Sequence, residues 1–222
     1  MIRNFIRKNI LRKKVVNQIF IGGFGGTGSR VVAEIFEGFG YYIGREYSNK
    51  TLDFGSNNFR GTFTRCWRRK EFTPLFTYIN DTIESNINHF AIKHGHLMFI
   101  NKELKEMYPK CKTVYVMRHP IDSAAGPSKE YYKPHVEYGE LRDNLDNKIK
   151  FYIEQSIKSC KEADLVIRYE DLCNDTENEL KKIRDFTGKH NMDLPSIDIR
   201  PSKTTGIHTG LYEKYDTLML GY

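Results

Sequence analysis

Apolar positions along this chain follow two rhythms. Ile19 to Ile21, Val114 to Met117 and Leu165 to Ile167 are apolar runs too short for helices, so each predicts a buried strand. Ala91 to Lys93 reads as the end of another strand, and Tyr41 to Ile43 as one more. Between them the spacing changes to that of helices. Val31, Val32, Ile35, Phe36 and Phe39 share one face, as do Leu141, Leu145, Ile149, Ile153 and Ile157 within 140–160. Residues 103–108 form a short helical stretch that stops before Pro109. Thr176 and Glu179 have the spacing of a capping box ahead of Leu180, Ile183 and Phe186, with Gly188 closing that helix. Residues 44–65, rich in Gly, Ser, Asn and Thr, read as loop. Short apolar strands separated by helices predict an α/β fold, a central parallel β-sheet flanked by helices on both faces.

Five glycines, Gly22, Gly23, Gly25, Gly26 and Gly28, lie between the first strand and the first helix. An ordinary strand–helix turn needs one or two. Five let backbone N–H groups crowd toward an anion at a helix N-terminus, so the stretch predicts a phosphate cradle. Gly23, Gly25 and Gly28 also fit the dinucleotide fingerprint, and Gly23 to Gly28 fit the opening of a Walker A loop, with Ser29 where its lysine would stand. An oxidoreductase of the Rossmann type and a P-loop kinase are therefore alternatives at this point.

In a parallel sheet, ligands bind where loops leave the carboxyl ends of the strands. Four segments hold those positions: the glycine loop, Lys93-His94-Gly95-His96, Arg118-His119-Pro120 and Arg168-Tyr169-Glu170-Asp171. Their convergence would gather Lys93, Arg118 and Arg168 with three histidines on one anion-seeking rim.

Composition narrows the picture modestly. At 222 residues, 39% hydrophobic and 28% charged, the chain suits one well-buried domain, 18–222, preceded by a basic segment, 1–17. The formal charge is +7, but residues 1–14 carry six cations and no acid, leaving about +1 for the rest, which argues against nucleic acid as a partner. That segment spaces Ile2, Phe5, Ile6 and Ile10 along one helical face. It reads as a solubilising helix at the domain edge, with weak contact to an anionic membrane surface as the alternative. It lacks the apolar core and cleavage site of a signal peptide. Cys66, Cys111, Cys160 and Cys173 lie far apart with no C-x-x-C pair, which predicts free thiols, a cytoplasmic setting and no metal site.

Three blocks in order carry a family resemblance over most of residues 18–212. Gly26-Thr27-Gly28-Ser29-Arg30 resembles the 5′-phosphosulfate loop of the sulfotransferases that use 3′-phosphoadenosine 5′-phosphosulfate (PAPS). Lys112-Thr-Val-Tyr-Val-Met-Arg118-His-Pro-Ile-Asp122 is similar to the strand and turn that bind the 3′-phosphate there. Leu165-Val-Ile-Arg-Tyr169-Glu-Asp-Leu172, with the helix ending Asp185-Phe-Thr-Gly188, resembles that family's Tyr-Glu-Asp block. A fainter match, Ser202-Lys203-Thr-Thr-Gly206, is similar to a C-terminal loop that closes over the nucleotide. The chain departs from the pattern twice. The basic residue before the loop core is Gly26, for which Arg30 or Lys93 are the available substitutes, and the serine expected eight residues after Arg118 is Gly126, for which Ser128, then Ser123, are the nearest.

The resemblance implies a P-loop NTPase-like sulfotransferase fold and transfer of a sulfonate group from PAPS to a hydroxyl or amine by in-line displacement, leaving 3′,5′-ADP and needing no metal. It assigns Gly25, Gly26, Thr27, Gly28, Ser29 and Arg30 to the 5′ end, Arg118 and Ser128 to the 3′-phosphate, Tyr169 to the adenine and Lys203 to closure. Chemistry of this kind needs a base for the acceptor proton, and an imidazole titrates in the right range. His96 leads, His94 is second, and Lys93 would stabilise the bridging oxygen as it gains charge. Glu46 and Asp53 are rivals for the base. The acceptor expected is a small molecule or glycan. A degenerate module that binds nucleotide without transfer is the non-enzymatic alternative.

Overall fold

A computed structural model of the chain describes residues 17–43, 56–82, 88–125 and 145–199. The sheet has four parallel strands, β1 (Asn17–Gly22), β2 (His89–Lys93), β3 (Lys112–Met117) and β4 (Leu165–Arg168), in the order β2-β1-β3-β4. The register sets Ile21 beside Lys93, Gly22 beside Tyr115 and Met117 beside Arg168, so all four strands end along one edge. The expected α/β architecture is what the chain forms.

Helices cover both faces, and β1 shows why its strand is apolar throughout. Ile19 and Ile21 turn to one core, where they meet Val32, Ile35 and Phe36 of α1 (Ser29–Gly38) and Val114 and Val116 of β3. Phe20, between them, turns to the opposite core with Phe63, Leu75, Phe76 and Phe90. That second core is closed by α2 (Ser56–Arg69), α3 (Thr73–Thr82), the 3₁₀ turn Gly95–Ile100 and α4 (Asn101–Met107). Alternate residues buried on opposite faces are the signature of a doubly covered parallel sheet.

The later elements are α5 (Pro120–Ala125), α6 (Leu145–Glu162), α7 (Tyr169–Asn174) and α8 (Thr176–Thr187). On α6 the buried positions include Ile149, Phe151, Tyr152, Ile153, Ser156 and Ser159, while Ile157 is only half-buried. The stripe is thus rotated toward hydroxyl-bearing residues. The Tyr115 and Ser156 hydroxyls bond to each other at 2.7 Å, which lets them be buried.

Three expectations need correction. Tyr41 to Ile43 is not a strand; Tyr42 makes a single parallel bridge to Phe90, and its two backbone hydrogen bonds cover the outer edge of β2. Residues 56–65 are not loop but the body of α2, because Phe63, Cys66 and Trp67 fall on one face and bury it despite the surrounding Asn, Thr and Gly. The capping box does not form. Asp175 occupies the N-cap of α8 without capping its backbone N–H groups, its carboxylate accepting instead from the Asn178 side chain at 2.8 Å, and the Thr176 hydroxyl donates to the Leu172 carbonyl at 2.8 Å. The preceding helix α7 ends so close that its free carbonyls take the hydroxyl first. Gly188 does end α8 in the left-handed conformation, φ 72°. Among the described residues no helix is long and apolar enough to cross a membrane.

Candidate functional site

The glycine loop is shaped by close neighbours. A Cβ on Gly22 would lie 2.6 Å from the Met98 nitrogen, and one on Gly23 would lie 2.5 Å from the Val116 carbonyl oxygen. The loop therefore presses against the 3₁₀ turn on one side and β3 on the other. Gly26 and Gly28 hold φ near +84° and +82°, where other residues are strained. Gly28 is the N-cap of α1, no side chain caps that helix end, and no acid occupies its first turn. An uncapped helix N-terminus behind a tight glycine turn is a standing site for an anion. Thr27 is fully buried, its hydroxyl donating to the Phe24 carbonyl at 2.8 Å, so that side chain braces the loop. Ser29 is buried, Arg30 is exposed, and Gly26 faces open space.

Arg118 leaves β3 into the same region and is 8% exposed. One guanidinium nitrogen donates to the Gly26 carbonyl and the other pairs with Asp122, each at 3.0 Å. Its backbone is gripped by Tyr152, whose phenol accepts from the Arg118 N–H at 3.0 Å and donates to the Arg118 carbonyl at 2.7 Å. Burial pushes that phenol up to about 12, so it remains a donor.

Tyr169 opens α7 with its ring against Gly28; a Cβ there would sit 2.0 Å from the ring. The Arg118 guanidinium carbon is 5.8 Å from the centre of the same ring. Burial raises the Tyr169 phenol and the neighbouring Cys173 thiol, so neither ionises readily. Glu170 accepts from the His119 N–H at 2.8 Å, tying β4's exit to β3's, and Arg168, expected on the same rim, is exposed.

The block after β2 closes the arrangement. Lys93 is 2% exposed, His94 6% and His96 2%. The His94 N–H donates to the Ile21 carbonyl at 3.0 Å, and the Gly23 N–H reaches the Gly95 carbonyl at 3.4 Å, so this block lies directly against the glycine loop. The His94 and His96 rings are 4.9 Å apart, and the His96 N–H points to His94 Nδ1 at 3.3 Å. Phe63 of α2 stacks on His96 at 4.8 Å and 22°.

Of the residues singled out from sequence, Lys93, His94, His96, Gly25 to Arg30, Arg118 and Tyr169 are thus brought to one rim, and Ser123 is buried beside it in α5. Ser128, Lys203, Glu46 and Asp53 lie outside the described residues, as do residues 1–16. Sequence reasoning missed the aromatic roof of Phe63, Trp67 and Phe99 over His96, and it missed Tyr152 as the brace of Arg118. The i, i+4 pair Phe63 and Trp67 was the available signal. Among the described residues no three His, Cys, Asp or Glu side chains gather to hold a metal ion.

The fold and rim together describe an α/β protein whose strand ends present a helix N-terminus, an arginine and a histidine pair to one place. Residues 41–191, about two-thirds of the chain, match the sequence model of the sulfotransferase family, and the chain belongs to that family. The match takes in Lys93, His94, His96, Arg118 and Tyr169 and begins after the glycine loop. No curated protein is significantly similar to the chain.

Proposed function

We propose that residues 18–222 form a PAPS-dependent sulfotransferase that works in the cytoplasm and transfers a sulfonate group to a hydroxyl or amine of a small-molecule or glycan acceptor. The observation that carries this reading is the linkage of three strand ends: Arg118 bonded to Gly26, Tyr169 packed on Gly28, and the His94–His96 block hydrogen-bonded to Gly23. A doubly phosphorylated adenosine needs two anion sites held at a fixed separation, and the Arg118–Gly26 bond couples one to the other.

The residues fit such a donor. Backbone N–H groups of 25–29, with Ser29 and Arg30, would hold the 5′ end at the uncapped start of α1. Arg118 would take the 3′-phosphate through its planar fork, with Ser128 or Ser123 beside it. Tyr169 would meet the adenine, and Lys203 would close over it. The donor supplies an activated sulfonate whose bond to phosphate breaks as a bond to the acceptor oxygen or nitrogen forms in line, with no metal required. His96, or His94 in its place, would take the acceptor proton, and Lys93 would steady the charge left on the phosphate.

A stabilisation panel of 3′,5′-ADP, PAPS, NADH and ATP with magnesium tests the reading. Stabilisation by the first two is expected, and stabilisation by NADH or ATP alone would overturn it in favour of a dehydrogenase or a kinase. The burial of His96 under Phe63 favours one alternative, a module that binds nucleotide without transfer. Release of 3′,5′-ADP from PAPS in the presence of acceptors, lost in His96→Asn, separates the two.

A further inference from the structure

The outer face of α1, away from the strand ends, carries charge of one sign. Glu34 and Glu37 are half-buried on its last two turns, and no basic residue in the last turn answers the negative end of the helix dipole. Glu34 forms no ion pair or side-chain hydrogen bond among the described residues. Beside the helix runs the stretch 193–199, which belongs to no helix or strand. Its Leu194, Ile197 and Ile199 pack against the first core, and a Cβ on Gly38 would lie 2.4 Å from the Pro195 ring. Between helix and stretch lies a groove of about 530 Å³. Three carboxylates, Glu34, Glu37 and Asp198, share its lining with the apolar surface of Pro195 and Ile197. No lysine or arginine among the described residues lines it.

The chain enters the sheet close to this groove. The Asn17 amide meets His89 Nδ1 at 3.0 Å, and the His89 and Tyr41 rings are 5.8 Å apart. The Tyr41 N–H donates to the Phe36 carbonyl of α1 at 3.0 Å, and Lys189, just before the stretch, lies over the Tyr41 ring at 5.8 Å. Asn17, the end of α1 and the start of the stretch therefore meet around one tyrosine. The residues before Asn17 span about 24 Å as a helix, several times the roughly 6 Å of α1 between Glu34 and Gly38.

We propose that the occupant of this groove is the chain's own basic segment, 1–16, docked from the same molecule. The chemistry of the two is complementary. Residues 1–14 carry six cations and no acid, and Ile2, Phe5, Ile6 and Ile10 recur at helical spacing. The cations meet Glu34, Glu37 and Asp198, and the apolar stripe meets Pro195 and Ile197. Exposed ion pairs alone are weak, so the burial of that stripe supplies part of the hold. Tethering through Asn17 supplies the rest, since it sets the segment at an effective concentration on the order of millimolar. Docking holds whether or not the rim binds PAPS, because the groove lies on the outer face of α1 and uses none of the rim residues.

Amide hydrogen exchange of residues 2–14 in the full chain, compared with a synthetic peptide of residues 1–16, tests the proposal. Exchange about tenfold or more slower than in the peptide is expected, independent of protein concentration and accelerated by 1 M salt. The protection should be lost in Glu34→Lys/Glu37→Lys and in Arg12→Glu/Lys13→Glu/Lys14→Glu, and return in large part when the two sets are combined. Glu34→Gln/Glu37→Gln, which adds no repulsion, should lie between native and reversed chains. Urea denaturation of each variant shows whether it is folded, and rescue in the combined variant is a gain that misfolding cannot imitate. Exchange in the native chain as fast as in the peptide would overturn the proposal, and so would protection that neither variant changes. Protection that grows with concentration alongside a dimer in sedimentation would assign the groove to a second copy's segment. Protection that appears only with phosphatidylserine vesicles would assign the segment to a membrane. Either result would also overturn docking within one molecule.

Discussion

Single glycines at the two ends of α1 differ sharply in what they tolerate. Gly28 and Gly40 share a left-handed backbone, φ 82° and 78°, but a Cβ at Gly28 would enter the Tyr169 ring while one at Gly40 meets nothing within 4 Å. Gly40→Ala should therefore cost about 1 kcal/mol, the backbone term alone. Gly28→Ala adds a clash and should cost about 3 kcal/mol, or displace Tyr169 and weaken 3′,5′-ADP about tenfold. Urea denaturation of the two variants, with nucleotide titration of each, makes the comparison. Equal losses and unchanged binding would show that Tyr169 and the glycine loop are not joined as described.

Between elements, α6 holds the end of β3 through one side chain. Tyr152 both accepts from and donates to the Arg118 backbone, in a fully buried setting. Tyr152→Phe leaves a buried N–H and carbonyl without that partner, and should cost about 2–4 kcal/mol in denaturant unfolding, with weaker 3′,5′-ADP binding because Arg118 loses its fixed backbone. Ser156→Ala removes the partner of the Tyr115 hydroxyl but leaves both Tyr152 bonds to the Arg118 backbone in place, and should cost less, with a smaller effect on binding. Elements of this kind were unevenly legible in the sequence. The strands and the glycine loop could be read because double-sided burial demands continuous apolar runs and close backbone packing demands glycine. The helix α2 could not, because Asn, Thr and Gly outnumber the few large residues that bury it. The buried stripe of α6 was legible at Ile149 and Ile153 but not at Tyr152 and Ser156, whose hydroxyls are buried by pairing with Arg118 and Tyr115, which no hydrophobic pattern records. Arg118 and the histidines could be placed at strand ends, but the aromatic roof over His96 comes from an element that reads as loop.

At the scale of the whole molecule, buried groups that prefer to stay neutral limit stability in alkali. Burial holds the Cys111 thiol at about 12 against an ordinary 9.0, and the Tyr152 phenol at about 12 against 10.0. The unfolded chain releases these protons first, so their contribution is whole below pH 9 and is lost as pH rises toward 12. Denaturation followed from pH 8 upward should show stability falling from about pH 9, with a later onset in Cys111→Ala. A flat profile to pH 11 would contradict that burial. The central claim is that Arg118 and the glycine loop grip the two ends of one doubly phosphorylated nucleotide. Removing Arg118 alone would strand the Asp122 carboxylate, which is 3% exposed, so the informative variant is Arg118→Ala/Asp122→Asn. Calorimetric titration of 3′,5′-ADP and 5′-AMP into both proteins tests the claim most directly. The native chain should prefer 3′,5′-ADP by about a hundredfold and the double variant should bind both alike, whereas equal affinity for the two nucleotides in the native chain would contradict it.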